Sequence, residues 1–98
     1  MTRLIISAEA RQDLQDIGDY IAYNNPSAAV SFVVRLEQCC LEIGQHPGIG
    51  QNRDKLQPGL KSLAEGRYLI FFRHKTIDGV VEIVRIVHGF RLIEKIFS

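Results

Sequence analysis

RYLIFFRHKTIDGVVEIVRIVH, residues 67–88, reads as two β-rich runs joined by a turn. Arg67–Lys75 and Val80–His88 are dense in β-branched and aromatic residues, and Asp78-Gly79 between them is a strong short-range hairpin signal. With a two-residue loop at Asp78-Gly79, Lys75 faces Glu82, Arg73 faces Val84 and Leu69 faces His88, so opposite charges meet at the first of these pairs. Alternation then sorts the side chains. Tyr68, Ile70, Phe72, Val81, Ile83 and Val87 point to one face, along with His74 and Arg85. Arg67, Leu69, Phe71, Arg73, Val84, Ile86 and His88 point to the other. The second set is too apolar to be left wholly to water. Its cover is expected to be the last segment, Phe90–Phe97, read as a short helix with Phe90, Ile93 and Phe97 on one side, or a separate protein.

Working toward the N-terminus, Leu60–Leu63 is a candidate short strand. Gly44–Gly59 holds Gly44, Pro47, Gly48, Gly50, Pro58 and Gly59, which predicts a long loop anchored by Leu56. Before it lie two helices. Ala10, Leu14, Ile17 and Ile21 form the apolar stripe of the first, with Ser7 as N-cap and Glu9 in the first turn. Asn24-Asn25-Pro26 breaks the chain, Asn25 caps the second helix, and Ala29, Phe32, Val33, Leu36, Cys40 and Ile43 make its stripe. The short connection implies an antiparallel helical hairpin. Arg3–Ile6 is an N-terminal strand. These elements give an α+β fold: a strand, a helical hairpin packed on an antiparallel sheet, and a short C-terminal helix.

A chain of 98 residues is the size of one domain, so residues 1–98 are expected to form a single unit. At 46% hydrophobic and 23% charged, its composition is that of a globular protein rather than a disordered one. No apolar run is long enough to span a bilayer, and no signal segment opens the chain, so a cytoplasmic location away from membranes is expected. The adjacent Cys39 and Cys40 diverge by about 100° on a helix and serve as small hydrophobes, and no Cys/His spacing fits a metal. Neither metal nor cofactor is implied. A net charge of +1 supplies no long-range field of the kind that non-specific nucleic-acid binders use, and no direct sequence-specific nucleic-acid binding by the chain alone is expected. The acidic residues nevertheless favour the helical half, while Arg67, Arg73, Lys75, Arg85 and Arg91 gather late. Arg85 is expected to be an ion-pair partner of Asp13, Asp16 or Glu37. Tyr20, Tyr23 and Phe32 are read as core or rim packing.

Several stretches together resemble the ParE branch of the RelE/ParE toxin superfamily. They are Ala10–Leu14, Ile17–Ala22, Asn25–Ala29, His46–Gly50 with Arg53, Leu56–Leu60, Arg67–Arg73 and Val81–Gly89, in that order and spacing. The resemblance implies a RelE/ParE-like fold and a toxin of a type II toxin–antitoxin system. Such a toxin is paired with a ParD-like antitoxin in a hetero-oligomer, directed at DNA gyrase, not itself an enzyme, and linked to plasmid or chromosome stabilisation. No catalytic residue is expected under that reading. Leu69, Phe71, Arg73, Val84 and Ile86 are the expected antitoxin-binding set, and replacing Phe71 by Asp is expected to weaken the complex far more than it unfolds the toxin. Arg53, Arg67, His88 and Arg91 are the expected target-binding set, with a structural hydrogen-bonding role as the other reading of His88.

The resemblance leaves two alternatives: a ribosome-dependent messenger RNA endonuclease of RelE type, and a non-toxic, antitoxin-binding remnant. RNA cleavage needs a base, an acid and cations for the phosphorane charge, roles for which Arg67, Arg73, Arg85 and His88 are candidates. Against it, Gly89 follows His88 where some ribosome-dependent relatives carry an aromatic residue. No tyrosine lies in the tail, and the lysine cluster of the RelE branch is missing.

Overall fold

The structure is a computed structural model and describes residues 3–89, 91 and 93–97. Its elements are β1 (Arg3–Ile6), α1 (Ala8–Ala22), α2 (Pro26–Gln45), β2 (Gln51–Asn52), β3 (Leu60–Glu65), β4 (Tyr68–Lys75), β5 (Val80–His88) and α3 (Ile93–Ile96). One sheet runs in the order β1-β5-β4-β3-β2. Its hairpin-linked strands are antiparallel, while β1 lies parallel to β5, which the sequence did not indicate.

Both helix starts follow from their caps. Ser7 Oγ accepts from the Ala10 N–H at 3.0 Å and Asn25 Oδ1 from the Ala28 N–H at 3.1 Å, each satisfying an amide left over at a helix N-terminus. The Ser7 hydroxyl also donates to the Val84 carbonyl at 2.8 Å, tying the start of α1 to the middle of β5. α2 runs through Gly44 to Gln45, past the end its breakers indicated. A Cβ at Gly44 would lie 3.3 Å from Leu4 Cβ, so the glycine admits close packing of α2 on β1.

The sheet carries a core on each face. Toward the helical hairpin, Ala10, Ile17, Leu36, Cys40 and Ile43 meet Ile70, Phe72, Val81, Ile83 and Ile86. On the opposite face, Leu60, Phe71, Val87 and Phe97 form a second cluster, joined by Leu56, Leu69, Val84, Ile93 and Ile96. The last segment therefore covers the exposed apolar face, through Ile93 and Phe97; Phe90 lies outside the described residues.

The hairpin register departs from expectation. Lys75 pairs with Val80, Arg73 with Glu82 and Phe72 with Ile83, so the loop has four residues, Thr76–Gly79. A two-residue type I′ turn needs positive φ at both central residues, and here Gly79 alone of this loop has it, at 63°. Lys75 and Glu82 still approach to 4.0 Å as diagonal neighbours. A bulge at Val84 then shifts the register by one, placing Phe71 opposite Arg85 and Ile70 opposite Ile86. The side chains beyond it exchange faces: Ile86 joins the core under the helices and Val87 the cluster under α3, opposite to the regular alternation expected.

The presumed loop before β3 also holds order. Gln51 and Asn52 pair with Ser62 and Lys61 as a short edge strand. Gly50 enters it at φ 96°, and a Cβ there would sit 2.7 Å from the Ser62 carbonyl oxygen.

Candidate functional site

Two features organise the helix side of the molecule around β5. The first is structural. β1 stops pairing at Ile83, and α1 takes over the free edge of β5 beyond it. Asp13 Oδ2 accepts the Ile86 N–H at 2.8 Å, while both carboxylate oxygens receive Arg85, from Nε at 2.7 Å and from Nη2 at 2.9 Å. This bidentate pair confirms the role expected for Arg85, with Asp13 the partner among the three acids considered. Its hydrogen bonds to Asp13 raise the Arg85 pKa.

The second feature is a groove of about 750 Å³ between the helical hairpin and the β3–β4 turn. Its floor is aromatic: Phe32 and Tyr68 lie 5.4 Å apart between centroids, and Tyr68 meets the His88 ring edge-on at 5.2 Å. Gly66 forms the tight turn that brings β4 back, at φ 60°, leaving room for Phe32 against it. Tyr20, largely exposed on α1, makes the opposite wall. Cations rim the groove. The Arg35 guanidinium sits 5.5 Å above the Phe32 ring and 3.5 Å from Glu65, and Arg67 stands at the mouth with no carboxylate partner among the described residues. Burial, and secondarily Tyr20, raise the Tyr68 phenol pKa, so it stays neutral well above physiological pH. A neutral hydroxyl, rings packed at a tilt and edge-on, and an uncompensated guanidinium suit recognition of a partly apolar, anionic surface.

The expected target-binding set divides in this frame. Arg67 and His88 line the groove, and Arg91 shares an adjoining depression with His88, Tyr20 and Tyr68. Arg53 lies on the other face, its Nε donating to Ser62 Oγ at 2.9 Å and its guanidinium 5.9 Å above Phe71. The expected antitoxin-binding set divides too. Leu69 and Val84 border α3, half-buried, and Arg73 follows them on that face by alternation. Phe71 is fully buried, 4.7 Å from the Phe97 ring, and Ile86 is in the core under the helices. The expected behaviour of Phe71→Asp is thereby corrected: a carboxylate there would sit in an apolar core, so unfolding comes first.

Tyr68 and Arg35 are the groove residues that sequence reading passed over, and Tyr20 and Phe32 were assigned to packing. Only the pairing of β4 with β5 places a phenol beside His88, since Gly89 follows His88 directly and no tyrosine lies after it in the chain. Among the described residues, no group of three His, Cys, Asp or Glu side chains is set to hold a metal ion, and no helix is long and apolar enough to cross a membrane.

The sequence model of the ParE toxin of the type II toxin–antitoxin system parDE matches residues 4–93. The chain belongs to that family. Toxin ParE1 of Caulobacter vibrioides is 31% identical to this ParE-family chain over 84 residues, covering 85% of it and 84% of the relative. Toxin ParE1 of Mycobacterium tuberculosis is 27% identical over 89 residues, 89% of each. Among solved structures, the fold is similar to the chromosomal ParDE system of P. aeruginosa, with a TM-score of 0.76 and 24% identity over 90% of this chain and 96% of that one. It is more distantly similar to the RelBE2 toxin–antitoxin complex of Mycobacterium tuberculosis, at a TM-score of 0.57 and 24% identity, with coverage of 89% and 96%. The sequence matches carry the family, and these two structures support the α+β, RelE/ParE-like fold.

Proposed function

We propose that this ParE-family toxin acts in the cytoplasm by docking on DNA gyrase and trapping it on cleaved DNA, and that a ParD-like antitoxin neutralises it by covering its surface. The observation that carries this reading is the match to the ParE toxin family along nearly the whole chain. The groove supports it, since Arg67 and the Phe32–Tyr68–His88 rings present a recognition surface at one end of the sheet. We assign the gyrase contact to Arg67 and His88 with Arg91 alongside, and the antitoxin contact to the half-buried rim of Leu69, Arg73 and Val84 beside α3. Docking requires no bond-breaking group of the toxin's own.

The purified chain is expected to inhibit supercoiling by gyrase and to accumulate cleaved DNA. Arg67→Glu should raise the concentration needed by about tenfold, as loss of a central charged anchor does, while antitoxin affinity changes little. The RNA-cleavage alternative makes the opposite forecast. Unimpaired supercoiling, together with cutting of messenger RNA on ribosomes that Arg67→Glu or His88→Ala abolishes, would overturn the gyrase reading.

A further inference from the structure

We infer that the Phe32–Tyr68–His88 groove takes an unstacked nucleotide of a DNA single strand, with the base among the rings and the phosphate on Arg67. This ligand class deepens the gyrase reading and rests on it for the source of the strand, since cleaved DNA has strand ends whose bases can leave the stack. The eight lining residues supply four rings, on Tyr20, Phe32, Tyr68 and His88, and two guanidiniums, on Arg35 and Arg67, with no carboxylate among them. Glu65 lies outside the lining, 3.5 Å from Arg35. In the adjoining depression Asp13 is bound to Arg85, and Asp16 shares the lining with Arg91.

That inventory selects the occupant. A carboxylate-rich peptide would pair with Arg67 and gain little from the rings, and a saturated apolar ligand would leave the guanidinium without a counter-ion. A planar aromatic group that carries its own anion satisfies both, and a nucleotide is such a group. The groove's 750 Å³ falls within the roughly 300–1,000 Å³ of sites that enclose a small molecule. Tyr20 is 77% exposed, so a base can reach its ring. Arg35 lies 5.5 Å over Phe32 and extends the platform, because a guanidinium plane stacks on bases as an aromatic ring does. The Tyr68 hydroxyl, kept protonated by burial, donates a hydrogen bond without repelling a phosphate.

The groove also gives a strand somewhere to continue. The adjoining depression, about 180 Å³, shares Tyr20, Tyr68 and His88 with it and adds Arg91, so a second phosphate meets a second cation. A duplex keeps its bases paired and stacked and offers none to the rings. A net charge of +1 is too small to hold a duplex by its phosphates alone. Every base has a π-face, so the stacking carries no sequence preference.

The test measures fluorescence anisotropy of a labelled oligothymidylate of about twelve nucleotides with the full-length toxin at about 0.05 M salt. The single strand is expected to bind saturably, and about tenfold or more tighter than a duplex of the same length. Tyr20→Ala and Arg67→Glu should each weaken binding about tenfold, and Tyr20→Phe, which keeps the ring, should not. Tyr20 and Arg67 are exposed, so the urea midpoint should hold in all three variants. Affinity unchanged in Tyr20→Ala, equal binding of the duplex, or displacement of the strand by polyglutamate would overturn the inference. A tenfold preference for oligouridylate would overturn it too, since the occupant would then be RNA. Supercoiling assays separate this outcome from the gyrase reading. A toxin that inhibits gyrase without binding the strand sinks the nucleotide site alone, whereas strand binding that needs Tyr20, with supercoiling unimpaired, sinks the gyrase reading and leaves the groove its ligand.

Discussion

Asp13 is buried and does two jobs: it holds the Arg85 guanidinium, and it terminates the hydrogen-bond ladder of β5 by accepting the Ile86 N–H. Removing one member of such a pair leaves a charge without its counter-ion in a poorly solvated place. Asp13→Ala is therefore expected to cost about 3 kcal/mol, read as a lower urea midpoint, with Arg85→Ala costing less because the carboxylate keeps the backbone donor. Equal midpoints for Asp13→Ala and wild type would show that the edge of β5 needs no anchor. Cys40 makes a second residue-scale prediction. Burial pushes its thiol up to about 12, and the neighbouring Cys39 has its own pKa raised by burial and by Glu65. Thiolate is the reactive form, so native protein at about pH 8 should alkylate far more slowly at both positions than the urea-unfolded chain. Asp54 gives a pH dependence. Hydrogen bonds from Asn52 and from the Gly59 N–H hold its carboxyl below the usual value. The stabilisation this lends the 53–59 turn is complete above the usual carboxylate range and is lost as pH falls through the lowered pKa. Relative to its intrinsic rate, amide exchange at Gly59 should accelerate over that acidic interval and stay unchanged in Asp54→Asn.

At the scale of elements, periodicity and capping chemistry made most of the fold legible, and the misses share one physical cause. Ser7, Asn25 and Pro26 mark helix starts by satisfying or omitting amides, and a four-three-four apolar spacing admits only a helix. The run Val80–Val87 is apolar toward both faces, so nothing in it fixes where an extra residue enters. The bulge at Val84 was invisible, and with it the exchange of Ile86 and Val87. The groove was half-legible for the same reason. Arg67 and His88 could be named from the strand ends, but Tyr68 and Phe32 become its floor only through pairing and packing distant in sequence. The corrected faces change what Phe71 tests. Fully enclosed by Leu60, Val87 and Phe97, it should cost about 3–5 kcal/mol when truncated to Ala. Phe97→Ala should cost less, because the four-residue α3 can resettle over the gap. Equal losses would mean that α3 is as rigid a part of the core as β4.

The whole molecule is electrically two-sided although its net charge is only +1. Its helical layer is acidic, with six carboxylates against two arginines over residues 8–45, while residues 51–97 carry nine lysines and arginines against five carboxylates. A separation of this kind orients an approaching partner more than it tightens the final complex. Under the proposed gyrase reading, an anionic target such as DNA-loaded gyrase is steered to the mouth of the groove, where Arg35, Arg67 and Arg91 gather, and away from the exposed carboxylates of α1 and α2. Steering acts at a distance and is screened over a Debye length, whereas the Phe32–Tyr68–His88 floor acts only on contact. Stopped-flow association with gyrase on DNA should therefore slow about tenfold as salt rises from about 0.05 to 0.5 M, with a much smaller change in the dissociation rate. Arg67→Glu should lower the association rate and flatten its salt dependence. Tyr68→Ala should leave association nearly unchanged and speed dissociation, because it removes contact area without altering the field. An association rate indifferent to salt would break the link between the two-sided charge and the choice of docking face, even if the chain still inhibited the enzyme.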